Sequence, residues 1–327
     1  MAVITLARNA MATRFELVLH GENSAALRAA GEEAFDEIER LEAQLSLFRP
    51  TSEIAHLNAR AAIEPVRVTP ALFSLLQQAQ KLSTETSGAF DITIAPLVRC
   101  WGFMAGTGKV PLSEDLEEAR ACVGMHLVHL NPTELTVRFA RQGVMLDLGA
   151  IGKGYAVDRA VQVLRDAGVK NALLHGGTST IYAIGTPADS TGWKVAIANP
   201  RNQQTPPRAA AVGDASEAIS QDSPAFATVC LKDESLSVSA IWGKSFTSDG
   251  QVFGHIIDPR TGQPARASLL SAVTLPSATE TDALSTALLT LGHEGYNRIL
   301  PLRPGMRALI AAESDGQLLT YAYGFQL

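Results

Sequence analysis

The chain has 327 residues, of which 46% are hydrophobic, and a net charge of −6 with a pI near 5.7. A chain of this size can bury a sizeable core, and its acidic balance argues against a nucleic-acid-binding protein, because phosphate binding needs a basic surface. Cys100, Cys122 and Cys230 are widely separated and form no C-x-x-C pair, which favours neither a disulfide framework nor a zinc site.

Membrane and export signals are missing from the sequence. No apolar run approaches the roughly 18 residues that a transmembrane segment needs. The first ten residues carry no charged region followed by an apolar stretch and a cleavage site. We therefore expect a cytoplasmic protein without a transmembrane segment, or one whose leader has been removed.

Hydrophobic periodicity predicts a mixture of helices and strands along residues 1–327, which we interpret as one domain. Thr69 is a predicted helix N-cap, followed by Pro70 as the first helical residue. Gly292 is predicted to end a helix. The strands and helices do not alternate regularly, so the predicted class is α+β. Residues 201–224 are polar and proline-containing, and they predict an inserted mobile loop. Predicted helices cover 24–46, 70–88, 152–166 and 280–291, and predicted strands cover 13–20, 135–139, 144–148, 172–174, 194–198, 235–239, 253–257, 307–312 and 318–323.

The segment 253–262 combines a histidine with a stiff turn. Residues 253–257 are typical of a buried strand, and Asp-Pro-Arg-Thr-Gly after them is typical of a turn. This arrangement would hold His255 at a fixed depth. A histidine in a strand can also be a satisfied core residue, and the segment by itself leaves both interpretations open.

A glycine-rich stretch runs from Leu146 to Asp158. It predicts a strand that ends near Asp147, a turn and the start of a helix. Backbone N–H groups at such a helix start, with Lys153 beside them, can hold a phosphate. The spacing matches neither G-x-x-x-x-G-K-[ST] nor G-x-G-x-x-G, so ordinary turn geometry is the alternative.

Asp282 and Thr286 are four residues apart, so in a helix they lie on one face, one turn apart. A carboxylate and a hydroxyl in this arrangement suit a hard cation such as Mg²⁺. An acidic residue near a helix start and a solvated threonine are the alternative. Farther up the chain, Phe90 and Trp101 could flank a planar ring or belong to the core.

Six motifs in this order resemble the ApbE family, the FAD:protein FMN transferases, nearly from end to end. They are Met11-Ala-Thr-Arg-Phe15, Ser52-Glu-Ile-Ala-His-Leu-Asn58, Gly88-Ala-Phe-Asp91, Leu146-Asp-Leu-Gly-Ala-Ile-Gly-Lys-Gly154, Phe253-Gly-His-Ile-Ile-Asp-Pro-Arg-Thr-Gly262 and Thr281-Asp-Ala-Leu-Ser-Thr286. The resemblance implies a T-fold-like α+β architecture of two lobes with an FAD cleft between them. It also implies that FAD is a substrate, that Mg²⁺ is the cofactor, and that FMN moves to a threonine hydroxyl of an acceptor flavoprotein with release of AMP.

The resemblance also implies roles for single positions. His255 matches the catalytic histidine of the family. Asp282 and Thr286 match the metal-binding side chains, Ala150 matches the position that donates a backbone carbonyl to the metal, and Ser285 would line that site. The positions that match FAD contacts are Met11, Phe48, Ala89, Phe90, Asp91, Asp147, Lys153 and Ile256.

The chain departs from the family pattern at a few positions near the expected cleft. Ala12 replaces a glycine, and Val238-Ser239-Ala240 stands where relatives have Thr-Ser-Gly. These departures put flavin affinity and acceptor choice in question more than the fold. Two alternatives to the transferase are a hydrolase that splits FAD into FMN and AMP at the same site, and a non-enzymatic FAD-binding protein.

Overall fold

The computed structural model of the chain describes residues 2–187, 190–202, 225–314 and 316–327. The predicted mobile insertion at 201–224 lies outside the described residues, apart from its first two positions. The helices are α1 Ser24–Leu45, α2 Glu53–Arg60, α3 Pro70–Glu85, α4 Ala95–Cys100, α5 Ser113–Arg120, α6 Gly152–Asp166, α7 Ala278–Leu291 and α8 His293–Ile299. The strands are β1 Ala2–Ala10, β2 Thr13–Gly21, β3 Val66–Arg67, β4 Val128–Asn131, β5 Thr136–Phe139, β6 Asn171–Gly176, β7 Thr180–Ile184, β8 Trp193–Ile197, β9 Ala227–Leu231, β10 Glu234–Ala240, β11 Ser245–Ser248, β12 Gln251–Gly254, β13 Leu270–Leu275, β14 Arg307–Ser314 and β15 Gln317–Tyr323.

An antiparallel sheet of eight strands, in the order β1-β2-β6-β7-β10-β13-β14-β15, carries the fold. Side chains alternate between its two faces, as the pleat requires. On β2, Leu17 and Leu19 enter the main core while Val18 enters a second cluster, and on β14 Ile310 and Leu309 divide in the same way. The sheet is therefore buried on both faces, and the α+β class is confirmed.

Different layers cover the two faces of the sheet. Helices α1, α6 and α7 pack on one face, where their apolar stripes meet the main core. The strand pair β8 and β9 covers part of the other face and contributes Trp193, Val195 and Val229 to the second cluster. Among the residues that the structure describes, no helix is both long and apolar enough to cross a membrane. The single domain and the two lobes stay predictions.

The four predicted helices are confirmed to within three residues at each end. The side chain of Thr69 accepts a hydrogen bond from the Leu72 amide, so Thr69 is the N-cap of α3, and Gly292 ends α7 with a φ of 66°. Each of these signals acts through local backbone chemistry, which a sequence displays directly.

The predicted strand at 144–148 is wrong. This segment has no neighbouring strand in the described chain, and its backbone bonds elsewhere. The Asn58 side chain donates to the Leu146 carbonyl at 3.0 Å and accepts from the Leu146 amide at 2.8 Å. The Asp147 amide donates to the Ile92 carbonyl at 2.7 Å. The side-chain amide of Asn58 therefore takes the place of a neighbouring strand. Alternation of apolar residues cannot distinguish a segment bonded in this way from a strand in a sheet.

A third, smaller cluster anchors the hairpin formed by β11 and β12. Phe246 and Phe253 stack with ring centroids 5.2 Å apart, and Trp101 lies 5.4 Å from Phe253. The indole N–H of Trp101 donates to the Gly262 carbonyl at 2.8 Å, which ties the turn after the hairpin to the same cluster. Of the two interpretations given to Trp101, the structure supports the core position.

The turn between β1 and β2 places two non-glycine residues in the left-handed region. Met11 has a φ of 50° and Ala12 a φ of 57°, and Ala10 pairs with Thr13 across the two-residue turn. Turns of this kind favour glycine because a Cβ is strained at positive φ. We therefore expect Ala12→Gly to raise the free energy of unfolding by up to about 1 kcal/mol in denaturant titrations.

The matched control for this substitution is Ala7→Gly on β1, where the exposed alanine is paired in an ordinary strand. There the same loss of a methyl group should lower stability by about 0.5–1 kcal/mol. If Ala12→Gly lowered stability as Ala7→Gly does, the strain argument would be refuted.

Candidate active site

The starts of α6 and α7 hold each other through two carboxylates. Asp282 on α7 accepts a hydrogen bond from the Gly154 amide in the first turn of α6 at 3.0 Å. Asp158 on α6 accepts from the amides of Ala278 and Thr279 at the start of α7, at 2.7 and 2.9 Å. The first amides of a helix have no acceptor within that helix, and here a carboxylate of the other helix accepts from them. The helix dipole also stabilises negative charge at this end.

Glycine at position 154 is what allows this close approach. A Cβ there would lie 2.1 Å from the Ala278 carbonyl oxygen and 2.8 Å from the Cβ of Asp282. Real Cβ atoms do not come this close, so any other residue would push the two helix starts apart.

Two oxygen atoms beside this helix pair remain open. The Gly154 amide donates to Asp282, and among the described residues no backbone N–H donates to the carbonyl of Ala150, its usual acceptor in a helix. Within the same part of the chain the other carboxylate oxygen of Asp282, Oδ1, accepts no hydrogen bond, although the residue is only 4% exposed. These two atoms are candidate ligands for a cation.

The hydroxyls of Ser285 and Thr286 meet the Ser239 hydroxyl on β10. The Ser285 Oγ lies 3.0 Å from the Asp282 carbonyl oxygen and 2.9 Å from the Ser239 Oγ. The Thr286 Oγ1 lies 3.2 Å from the same carbonyl and 3.3 Å from the Ser239 Oγ. A carbonyl only accepts, so both hydroxyl protons point to it. Lone pairs on Thr286 therefore remain for another partner, and the predicted sharing of a helix face by Asp282 and Thr286 is found.

These donors fit Mg²⁺ held jointly with phosphate oxygens. The atoms are all hard oxygens, and Mg²⁺ is usually bound through one or two carboxylates together with substrate phosphates and water. Within the described ranges there is no group of three His, Cys, Asp or Glu side chains that could hold a metal alone. Asp282, Thr286 and the Ala150 carbonyl would thus supply part of a coordination shell, which a phosphate-bearing ligand completes.

His255 follows β12 directly and is fixed by its backbone neighbour across the hairpin. The Lys244 carbonyl accepts from the His255 amide at 3.0 Å and lies 3.1 Å from the ring Nδ1. Burial lowers the pKa of His255, the hydrogen bond to the Lys244 carbonyl opposes this effect, and the charges of Lys244 and Lys153 lower the pKa further. The net effect lowers the pKa of His255 and so favours the neutral imidazole, which is the form that a general base needs.

Asp147 and Lys153 lie in the same electrostatic neighbourhood. The Asp147 carboxylate accepts from the Gly149 amide at 2.8 Å, and the Lys153 Nζ donates to the Gly149 carbonyl at 3.3 Å. Burial raises the pKa of Asp147, while the Gly149 amide and the charges of Lys153 and Lys244 lower it. The charges of Lys153 and Lys244 therefore act on both the Asp147 carboxylate and the His255 imidazole.

Asp91 is a structural group in this fold. Its Oδ2 accepts from the Ser83 hydroxyl at 3.1 Å and from the Met125 amide at 2.9 Å. Its Oδ1 accepts from the amide and the hydroxyl of Thr93 at 2.8 and 2.5 Å. All four bonds are internal, so the carboxylate fixes the loop around it. Its predicted contact with FAD stays a prediction.

The remaining predicted contact positions differ in exposure. Ala89 and Phe90 are each 1% exposed and belong to the main core, so Phe90 takes the core position of its two interpretations. Met11 lies in the β1–β2 turn, and Phe48, after α1, is 73% exposed. The Ile256 carbonyl accepts from the Ala265 amide at 2.8 Å beside His255. No described contact joins Met11 or Phe48 to His255, and their roles stay predictions.

Sequence reasoning missed the function of four residues. Asn58 was noted only within a motif, and Ser239 only as part of a departure from the family pattern, whereas Asp158 and Lys244 received no role. Ser239 had a detectable signal, because Ser235, Ser237 and Ser239 share one face of β10. Lys244 had no such signal in the sequence. The backbone carbonyl of Lys244 holds His255, and every residue type has a backbone carbonyl.

Comparison with known proteins agrees with this geometry. A protein from Treponema pallidum named FAD:protein FMN transferase is 32% identical over 300 residues, covering 88% of this chain and 78% of the relative. One of the same name from Rhodobacter capsulatus is 33% identical over 268 residues, covering 81% of this chain and 47% of the relative. The crystal structure of the ApbE protein from Thermotoga maritima superposes with a TM-score of 0.83 at 26% identity, covering 97% of this chain and 96% of that one. The sequence model that describes the ApbE family matches residues 11–310. The chain belongs to the ApbE family.

Proposed function

We propose that this chain transfers FMN from FAD to a threonine hydroxyl of an acceptor flavoprotein, with Mg²⁺ as cofactor and AMP as the leaving group. One observation carries the proposal. Lys153 is the neighbour of Gly154, whose amide donates a hydrogen bond to Asp282. The charge of Lys153 also acts on the His255 imidazole. Lys153 thus links the oxygen donors that suit Mg²⁺ to the histidine, which supports a single site for both.

Different residues of the chain perform the proton transfer and the binding of phosphate. His255 accepts the proton of the threonine hydroxyl, whose oxygen attacks the phosphorus of the FMN half of FAD. The bond to the AMP half breaks, and AMP leaves with the electron pair of that bond. Lys153 binds phosphate oxygens through its ammonium group and its backbone amide, which donates to no described protein group, and offsets their charge. Bound Mg²⁺ supplies further charge neutralisation on the pyrophosphate. Such transfers depend on positioning, so no protein nucleophile is required.

The test is to incubate the protein with FAD and Mg²⁺, with and without a purified flavoprotein acceptor, and to follow AMP, FMN and the acceptor mass. The control acceptor carries valine in place of the target threonine. AMP together with a covalent FMN adduct on the threonine acceptor alone would support the proposal. AMP with free FMN in every mixture would replace it with a hydrolase, and intact FAD throughout would leave a flavin-binding protein.

Asp282→Asn tests the metal donors. Asparagine keeps an oxygen that can accept from the Gly154 amide, so the helix pair stays in place, but the negative charge is lost. We expect the Mg²⁺ concentration for half-maximal AMP release to rise at least about 10-fold, which corresponds to about 1.4 kcal/mol. Binding of Mn²⁺ to the variant, followed by electron paramagnetic resonance without turnover, should weaken in parallel.

The matched control is Asp166→Asn at the exposed end of α6, far along the helix from the Gly154 amide. It removes the same charge and should leave both titrations unchanged. Equal metal titrations for Asp282→Asn and the parent protein would remove Asp282 from the metal site.

A further inference from the structure

The backbone of residue 244 contacts the ring of His255 as well as its main chain. Residues 245 and 254 form the last pair of the β11–β12 hairpin, and the next residues, 244 and 255, are joined by a backbone hydrogen bond. As a result the Lys244 carbonyl accepts from the His255 amide and also lies 3.1 Å from the ring Nδ1. A single oxygen atom therefore orients both the backbone and the imidazole of the histidine.

A carbonyl oxygen can only accept a hydrogen bond, so the ring nitrogen that it meets must carry the hydrogen. We propose that Lys244 is a positioning residue for His255, whose main-chain carbonyl holds the imidazole as the Nδ1–H tautomer and leaves Nε2 as the atom that takes the proton. This inference rests on the proposed function, because it assigns the atom that performs the proton transfer. Orientation of a catalytic histidine by a hydrogen bond to its second nitrogen is a general way to select the basic nitrogen.

Aromatic packing holds the hairpin on both sides of this contact. Phe246 and Phe253, two residues after Lys244 and two before His255, stack on each other, and both rings lie tilted against Trp101. Both ends of the contact are thus attached to one aromatic cluster. A Cβ at Gly254 would lie 2.9 Å from the Ile241 carbonyl oxygen, so glycine there lets the base of the hairpin close tightly beside the histidine.

The side chain of Lys244 adds an electrostatic effect to the action of its carbonyl. Among the described residues, Lys244 before β11 and Lys153 on α6 are the charged groups that act on the imidazole, and both favour its neutral form. Removal of the Lys244 charge should raise the pKa of His255. Because the neutral imidazole is the active form, the acid limb of the rate profile should then move to higher pH.

The decisive measurement concerns the tautomer and needs no turnover. The full chain, labelled with ¹⁵N-histidine, is examined by long-range ¹H–¹⁵N correlation spectroscopy at neutral pH, and the His255 signals are assigned by their loss in His255→Ala. We expect a protonated Nδ1 and an unprotonated Nε2. A protonated Nε2, or the averaged signals of a ring that exchanges between both forms, would overturn the proposal.

A second measurement removes the side-chain charge of Lys244 and keeps the main-chain carbonyl of residue 244. Lys244→Met should preserve the tautomer and move the acid limb of kcat/KM for AMP release to higher pH, with activity lost first in mildly acidic buffer. The control Lys232→Met removes an exposed lysine between β9 and β10 and should leave the profile in place. An unmoved acid limb in Lys244→Met would refute the electrostatic part. If the parent protein released no AMP while the tautomer was as expected, the proposed function would fail and the assignment of the hydrogen would remain.

Discussion

The variant His255→Ala should lose FMN transfer and AMP release by roughly 10²–10⁴-fold, the range that a general base contributes. FAD should still bind, because the proposed phosphate-binding start of α6 and the proposed metal donors of α7 do not contact this imidazole through any described hydrogen bond. The measurement is kcat for AMP release in saturating Mg²⁺, together with equilibrium binding of FAD followed by its fluorescence.

The control for this variant is His129→Ala. His129 is an exposed residue of β4, in the small three-stranded sheet, and truncation there removes the same group from the surface. Its kcat should equal that of the parent protein. Full activity in His255→Ala would exclude the histidine as the base, and a parallel loss of FAD binding would show that its role is to bind the substrate.

Gly154→Ala should destabilise the protein more than any surface change. The added Cβ would lie 2.1 Å from the Ala278 carbonyl oxygen, so α6 and α7 must separate and the bond from the Gly154 amide to Asp282 is weakened. Overpacking together with a damaged hydrogen bond to a charged group should lower the free energy of unfolding by about 3–5 kcal/mol. Urea titration monitored by circular dichroism measures this loss.

Gly152→Ala is the matched control, because it adds the same atom two residues earlier in the same helix. A Cβ at Gly152 would meet only the Cβ of Leu148 at an ordinary 3.6 Å. Its stability should stay unchanged or rise by up to about 1 kcal/mol, since alanine favours the helix. Equal losses in the two variants would attribute the effect to helix propensity or the glycine backbone, and would contradict the argument from close packing.

The parts of this protein that could be predicted from sequence are those governed by nearby residues. The bounds of α6 and α7 follow from apolar spacing and terminal glycines, and the face shared by Asp282 and Thr286 follows from helix geometry. The strands at 307–312 and 318–323 were predicted for the same reason, and they pair as β14 and β15. In each case the determining residues lie within a few positions of one another along the chain.

Features that depend on distant partners could not be predicted. Residues 144–148 alternate like a strand, but the amide of Asn58, 88 residues from its partner Leu146, satisfies the backbone there. The contact between Lys244 and His255 uses a main-chain oxygen, so no residue type signals it. The order of the eight strands likewise follows from packing on α1, α6 and α7, which periodicity along one segment does not encode.

Asp282 on α7 accepts from an amide of α6, and Asp158 on α6 accepts from amides of α7. These reciprocal hydrogen bonds link the local opening of the two helices. If the first turn of α6 frayed, the Gly154 amide would leave Asp282 with an uncompensated charge in a buried position, and fraying of α7 would leave the half-buried Asp158 without the amides that it accepts from. The starts of both helices therefore open together, as one cooperative unit with a single local equilibrium. The proposed phosphate-binding turn and the proposed oxygen donors for the cation would share that equilibrium, so a ligand that ordered one of them would reduce the entropy cost of binding at the other.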